Sequence, residues 1–487
     1  KVRCMAAKIL CNLVTANRQT ASVIATVIHI SPTEDAVTSR LLQSMTLSNT
    51  QETESGYEME SRNNYNWVDM MVGSARAGNR EALAAIVAAL HNCIVSLSKD
   101  ASSSPSFDES NSYKDLSRKA SSNTALICNL LRQMLPSKSI VPNSNESKST
   151  DTIMDHADGA TEWISLLLER LCQMGMLSKM LLAAGSTNGS SRSGNKMDVV
   201  VIPEQVVLLH CISHFVEESM DPSSKARTAF HPLGGEGGGD AMTETHTFLA
   251  NSLCSIGHSL PTSLGPHDGG SGSDGTELYE GELQCRQSAH ILLLEILATS
   301  LAHETSSSNV TDTCATVRET VGQKTSIMVD SLVELGKLVD ALTFKTRGQK
   351  ARELRLETDE QQYMTGYIRL IGNLCYQCKS NQDMLRQTQV PITNVVSNDE
   401  EPSSKTSDAV VRTGLHVLLT CTSFSFGCFT LREWAIVAIR NALDRNNANQ
   451  DVVEKLEAQQ ALDSPELQNA GVKVNMDKTG KVSVHKR

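Results

Sequence analysis

Apolar positions recur every three or four residues along most of the chain, and polar stretches rich in Ser, Gly and Asn interrupt them. That period marks helices with one buried face. It predicts helical segments at 5–29, 67–97, 125–135, 163–184, 200–217, 247–256, 283–301, 317–342, 361–387 and 429–462. The pattern is clearest at Leu166, Leu167, Leu171, Met174, Leu177 and Leu181. Pro136 ends one helix, Pro203 suits the first turn of another, and Gly185 fits a C-terminal stop. No stretch alternates apolar and polar positions convincingly, so nothing calls for a sheet.

Polar insertions fall at 31–64, 99–108, 137–157, 234–239, 261–275 and 397–408. Long unstructured loops are unusual inside one compact domain. A solenoid tolerates them, because each repeat touches only its neighbours and insertions leave as loops. The expected fold is therefore all-α: an armadillo/HEAT-like right-handed α-solenoid with long disordered loop insertions. The expected order is armadillo-like helices at 1–30, a polar linker at 31–66, helical repeats with Ser/Gly-rich insertions at 67–345, a C-terminal domain at 360–465 and a flexible tail at 466–487.

Two C-terminal segments repeat one another. One reads Leu370-Ile371-Gly372-Asn373-Leu374-Cys375, then Asn381-Gln382-Asp383-Met384-Leu385. The other reads Ala438-Ile439-Arg440-Asn441-Ala442-Leu443, then Asn449-Gln450-Asp451-Val452-Val453. The offset is 68 in each pair (441 − 373, 449 − 381, 453 − 385). An armadillo or HEAT unit is about 40–47 residues, so one unit plus one loop insertion accounts for it. A weaker echo is Leu10-Cys11-Asn12-Leu13 with Asn17-Arg18-Gln19. Asn381 and Asn449 are candidate N-caps for helices starting at Gln382 and Gln450, because an Asn side chain bonds free backbone N–H groups. Asn373 and Asn441 fall inside helices, where they either bond an adjacent repeat's backbone or line a groove.

Tyr367-Ile368-Arg369-Leu370-Ile371-Gly372-Asn373-Leu374-Cys375-Tyr376 with Asn381-Gln382-Asp383, and Phe429-Thr430-Leu431-Arg432-Glu433-Trp434-Ala435-Ile436-Val437-Ala438-Ile439-Arg440-Asn441 with Asn449-Gln450, resemble the signature of the ataxin-10 family's C-terminal domain. Glu162-Trp163-Ile164-Ser165-Leu166-Leu167-Leu168-Glu169 is similar to a helix further upstream in that family. One departure is Gln389-Val390-Pro391 followed by a long polar insertion, where the family has a short Gly-Ile-Pro-like turn. The resemblance implies an armadillo-like superhelix without a catalytic centre or cofactor, a cytoplasmic location, and protein partners whose identity the sequence does not give. It also implies links to cytokinesis, cell survival and cell morphology, and leaves self-association open. The motif residues to follow are Arg369, Gly372, Asn373, Asn381, Gln382, Glu433, Trp434, Arg440, Asn441, Asn449 and Gln450.

Composition narrows the picture further. Aromatic residues make up 4% of the chain, low for a large β-sandwich or barrel. A formal net charge of -11 disfavours a broad nucleic-acid footprint. No apolar run reaches the ~18 residues that span a bilayer. Thirteen cysteines, an odd number set in apolar helical segments, read as core thiols in a reducing compartment. The chain begins at Lys1 inside a helical-looking run and reads as part of a longer polypeptide.

The candidate chemistry mostly has a plainer explanation. Cys375-Tyr376-Gln377-Cys378 is a CxxC that would need two further ligands, such as Cys421 and Cys428, to hold zinc. Gly234 to Gly239 lacks the strand and the Lys-Ser/Thr of a phosphate loop and reads as a linker. His210 and His214 stand four apart without a Glu after the first, so helix packing explains them. Arg369, Glu433 and Arg440 read as members of interrepeat ion pairs, and the run around Trp434 as a fully buried helix. The leading expectation is a non-enzymatic interaction scaffold; the alternative is an enzyme or nucleotide-binding protein with its site in the unmatched middle.

Overall fold

A computed structural model of the chain describes residues 124–134, 159–185, 200–220, 231–234, 238–260, 277–302, 308–347, 358–392, 411–423, 429–462, 472–476 and 482–486, with single positions between 84 and 121 and at 197 and 356. The helix expected at 5–29, most of that at 67–97, the linker at 31–66, the echo at 10–19 and the insertion at 397–408 lie outside the described residues. The fold is all-α, with 13 helices and four short strands among the described residues. The chain divides into two compact units, one of Lys1–Leu260 with Ser273–Ile296, the other of Pro261–Gly272 with Leu297–Arg487.

The first unit contains α1 (Thr124–Met134), α2 (Gly159–Gln173), α3 (Leu177–Ala184), α4 (Pro203–Met220), α5 (Gly238–Gly257) and α6 (Glu277–Leu301) up to Ile296. Leu131, Ile164, Leu168, Leu181, Leu208 and Leu249 are wholly buried and form its core. The single helix expected at 163–184 is two. Gly175 takes a left-handed φ of 76° between them, and a Cβ there would come within 2.9 Å of the Ala241 Cβ. The glycine run is also less of a linker than its composition implied. Gly238 and Gly239 open α5, and Gly234 packs against the backbone of Met242. His210 and His214 are exposed on α4, not packed at a helix interface. Burial holds His246 neutral, lowering its pKa to about 4, and its Nδ1 donates to the Met242 carbonyl at 2.8 Å.

The second unit holds the repeat. Here α7 (Ser308–Lys324) and the end of α6 come first. One layer follows: α8 (Ile327–Arg347), α9 (Thr358–Cys375) and α10 (Lys379–Gln387). The next is α11 (Gly414–Ser423), α12 (Phe429–Leu443) and α13 (Asn447–Leu462). Like elements stack on like, α8 against α11, α9 against α12 and α10 against α13, while α7 packs against α9 and α10. This is the armadillo-like arrangement, three helices to a layer, each layer burying the apolar face of its neighbour.

The polar insertion leaves between the two layers, and there the structure has strands the sequence did not announce. β1 (Gln389–Pro391) and β2 (Val411–Thr413) pair antiparallel, Val390 opposite Arg412. The buried Val390 lies where α8 makes room at Gly336. Arg412 donates to the Gly336 carbonyl at 2.9 Å and pairs with buried Asp340 at 2.7 Å. Strands of three residues are too short to show alternation. The C-terminal tail needs a second correction. β3 (Val472–Met476) and β4 (Val482–Lys486) form an antiparallel hairpin, with β3 against α13. Val472, Val474, Val482 and Val484 do alternate with polar residues there.

Candidate functional site

Most of the motif residues meet at the seam between layers, whereas Glu433, Arg440 and Gln450 are exposed away from it. Each helical Asn reaches backward to a main-chain carbonyl of the layer before. Asn441 Nδ2 donates to the Gly372 carbonyl at 3.0 Å, and Asn373 Nδ2 to the Ala298 carbonyl at 2.7 Å. Of the two readings left open by the sequence, the amide nitrogens thus follow the interrepeat one. Both carbonyls lie in the last turn of their helices, where the following N–H groups turn elsewhere, Ala302 to Thr299 and Tyr376 to Asn373, so each amide satisfies an oxygen that the ladder leaves open.

Asn381 and Asn449 are not N-caps. Both are fully buried, one turn inside their helices. Asn381 Nδ2 bridges the carbonyls of Leu374 at 2.8 Å and Arg318 at 2.9 Å. Asn449 Nδ2 does the same with Ala442 at 3.0 Å and Gln382 at 2.9 Å. One bond runs within the layer and one to the layer before. With both protons given to carbonyls, each side chain leaves its Oδ1 buried without a partner. The cap itself lies three residues earlier. Asn446 Oδ1 accepts from the Asn449 N–H at 3.2 Å, whereas Cys378 stands in the equivalent place before α10 and provides no side-chain cap. Gln377 and Arg445, also equivalent, take left-handed φ angles of 51° and 53° in the turns. Gly322 on α7 completes the Asn381 site: a Cβ there would fall within 2.6 Å of the Asn381 Cγ.

Gln382 is buried and ties three helix ends together. Its Nε2 lies 3.1 Å from the Cys375 carbonyl, 2.8 Å from that of Asn441 and 3.2 Å from that of Asp444, and its Oε1 accepts from Asn446 Nδ2 at 3.3 Å. Gln450 keeps only the first of these, to the Leu443 carbonyl at 2.8 Å, and is exposed. Gly372 lets α9 and α12 approach closely: a Cβ there would lie 2.9 Å from the Ala438 Cβ and 3.0 Å from its Cα.

The ion-pair expectation fails. Glu433 and Arg440 are exposed on α12, and neither is in a salt bridge among the described residues. Arg369 is half-buried, donates from Nη2 to Thr299 Oγ1 at 2.9 Å, and lies 5.2 Å from the centre of the Trp434 ring. Nor is α12 buried all round, since Ile436 is 51% and Val437 41% exposed. The CxxC thiols are buried, and burial pushes Cys375 well up and Cys421 to about 12, which opposes the thiolate a metal needs. Cys428 lies outside the described residues. Among the described residues no helix is long and apolar enough to cross a membrane.

A comparison with known families falls on the second layer of this region. Residues 391–485 match the family model described as the spinocerebellar ataxia type 10 protein domain. Human Ataxin-10 is 30% identical over 125 residues, 25% of this chain and 21% of that protein. The Ataxin-10 homolog of Dictyostelium discoideum is 23% identical over 138 residues, 28% of this chain and 19% of its own length. The matched stretch thus spans about a fifth of the length of these curated relatives. No solved structure matches the chain.

Proposed function

We propose, from the premise that its C-terminal region belongs to the ataxin-10 domain family, that this chain is a non-enzymatic protein-interaction scaffold of the ataxin-10 type. It acts in the cytoplasm, in the regulation of cytokinesis or cell morphology. One observation carries the reading. The polar residues of the motif do not converge on a reacting point; Asn373, Asn381, Gln382, Asn441 and Asn449 hold successive layers together through main-chain carbonyls. An active site gathers a nucleophile, an acid or base and a charge-stabilising group within reach of one atom. A seam of this kind instead fixes the spacing of helices, and so the shape of the surface they present to a partner.

The test is affinity purification of the full chain from its own cells with identification of what comes down. Recovery of cytokinetic or signalling proteins is expected. Recovery of no protein, together with calorimetric binding of a nucleotide, would overturn the scaffold reading in favour of a nucleotide-binding one.

A further inference from the structure

Two arginines of the second unit are taken out of water in contrasting ways. Arg412 meets Asp340 at 2.7 Å, so its charge is answered. Arg369 is half-buried and has no carboxylate beside it among the described residues. Its Nε is buried without an acceptor, as that of Arg412 is too, and among the described residues Thr299 Oγ1, on Nη2, is the acceptor its guanidinium meets. The Trp434 ring at 5.2 Å recovers part of the lost hydration through its π face. A guanidinium held this way is oriented, with its Nε closed off and Nη donors left for a carboxylate to accept from.

The surroundings narrow the ligand. Trp434, Val437 and Asn441 lie three and four positions apart, on one face of α12. Val437 is 41% exposed. Asn441 is half-buried and has given its Nδ2 to the Gly372 carbonyl, so its Oδ1 keeps its acceptor capacity. Cation, aromatic ring, apolar side chain and amide acceptor therefore follow one another across neighbouring helices α9 and α12. A small carboxylate would use the cation alone. An extended peptide uses all four, with an acidic side chain on Arg369, an apolar one against Trp434 and Val437, and a main-chain N–H to Asn441.

We propose that Arg369 and Trp434 form the docking point for an acidic, extended segment of a partner protein. The inference rests on the scaffold reading and specifies where one partner is held. The chain's net charge of -11 makes the proposal easy to test, because it repels acidic peptides in general and leaves attraction to a local cation.

The experiment is fluorescence anisotropy of the full chain with fluorescein-labelled peptides of alternating Glu and Leu, and of alternating Gln and Leu. The Glu peptide is expected to bind at least about 10-fold more tightly, and its affinity to fall with added salt. Arg369→Gln is expected to weaken it by about 10- to 100-fold, the worth of a charge-assisted bond, and Arg369→Lys by less. Thermal melts accompany each variant, and where Arg369→Gln melts early, Arg369→Lys and the two-peptide comparison on the unaltered protein decide. Equal binding of both peptides, absence of binding by the Glu peptide, or unchanged binding by both folded variants overturns the proposal. If the Arg369→Gln chain still recovers the partners of the unaltered one, the docking point falls and the scaffold stands. If the unaltered chain recovers none and binds a nucleotide, the scaffold itself falls.

Discussion

The helices α9–α10 and α12–α13 carry one motif 68 residues apart, and the structure gives the two copies different neighbours. Behind each lies a layer whose carbonyls it engages, and here the asparagines of the two copies agree. Asn381 and Asn449 each bridge two carbonyls, Asn373 and Asn441 each reach one, and the turns share a left-handed residue. In front of them they differ. Ile368 is wholly buried, while its equivalent Ile436 is 51% exposed. Gly372 lies against Ala438, while its equivalent Arg440 is in solvent. A repeat motif thus specifies how a layer joins what precedes it, and the forward face is set by whatever comes next. Glu433 and Arg440 give α12 the charged outer face of a layer that no described helical layer covers.

The largest test of this asymmetry is at the close approach. Gly372→Val is expected to destabilise by about 3 kcal/mol through overpacking against Ala438, whereas Arg440→Val stays within about 0.5 kcal/mol in a denaturant titration. Both changes place the same β-branched residue in a helix, so the difference isolates packing. Equal losses would mean that the forward face of α12 is covered. Next come the buried amides. Asn381→Ala and Asn449→Ala are each expected to cost about 2 kcal/mol, since each strips two donors from buried carbonyls. A gap of more than about 1 kcal/mol between them would break the equivalence of the backward joints. The glutamines should diverge again, with Gln382→Ala costing about 1.5 kcal/mol and the exposed Gln450→Ala under about 0.5 kcal/mol. The smallest effect has the opposite sign. Gln377→Gly and Arg445→Gly should each stabilise by about 0.5 kcal/mol, glycine being at ease in the left-handed turn, and should do so alike.

Much of this was legible in the chain, and the exceptions have physical reasons. The repeat offset and the helical class follow from periodicity. The roles of Asn381 and Asn449 were misread because an Asn after a helix break looks like a cap, and the left-handed turns that shift the true start by three residues are held by Gln377 and Arg445, not by glycine. The layer behind the first copy is silent in sequence. It contributes carbonyls of Ala298 and Arg318, which any residue could supply. For Arg369 the expectation is an ion pair, since nothing in the order of residues reveals that a ring and a hydroxyl stand where a carboxylate is expected.

The two-stranded ribbon between the layers has a practical consequence. Pro391 and Val411 face each other across it, so the chain departs from and re-enters the stack at one place. Arg412 rivets that place to α8 through Asp340 and the Gly336 carbonyl. The number of residues travelling between those two points is thereby uncoupled from the geometry of the helices on either side. An epitope, a fluorophore-binding tag or a protease site written between residues 391 and 411 would lengthen that connection while both of its ends stay pinned, a handle for following the protein in cells.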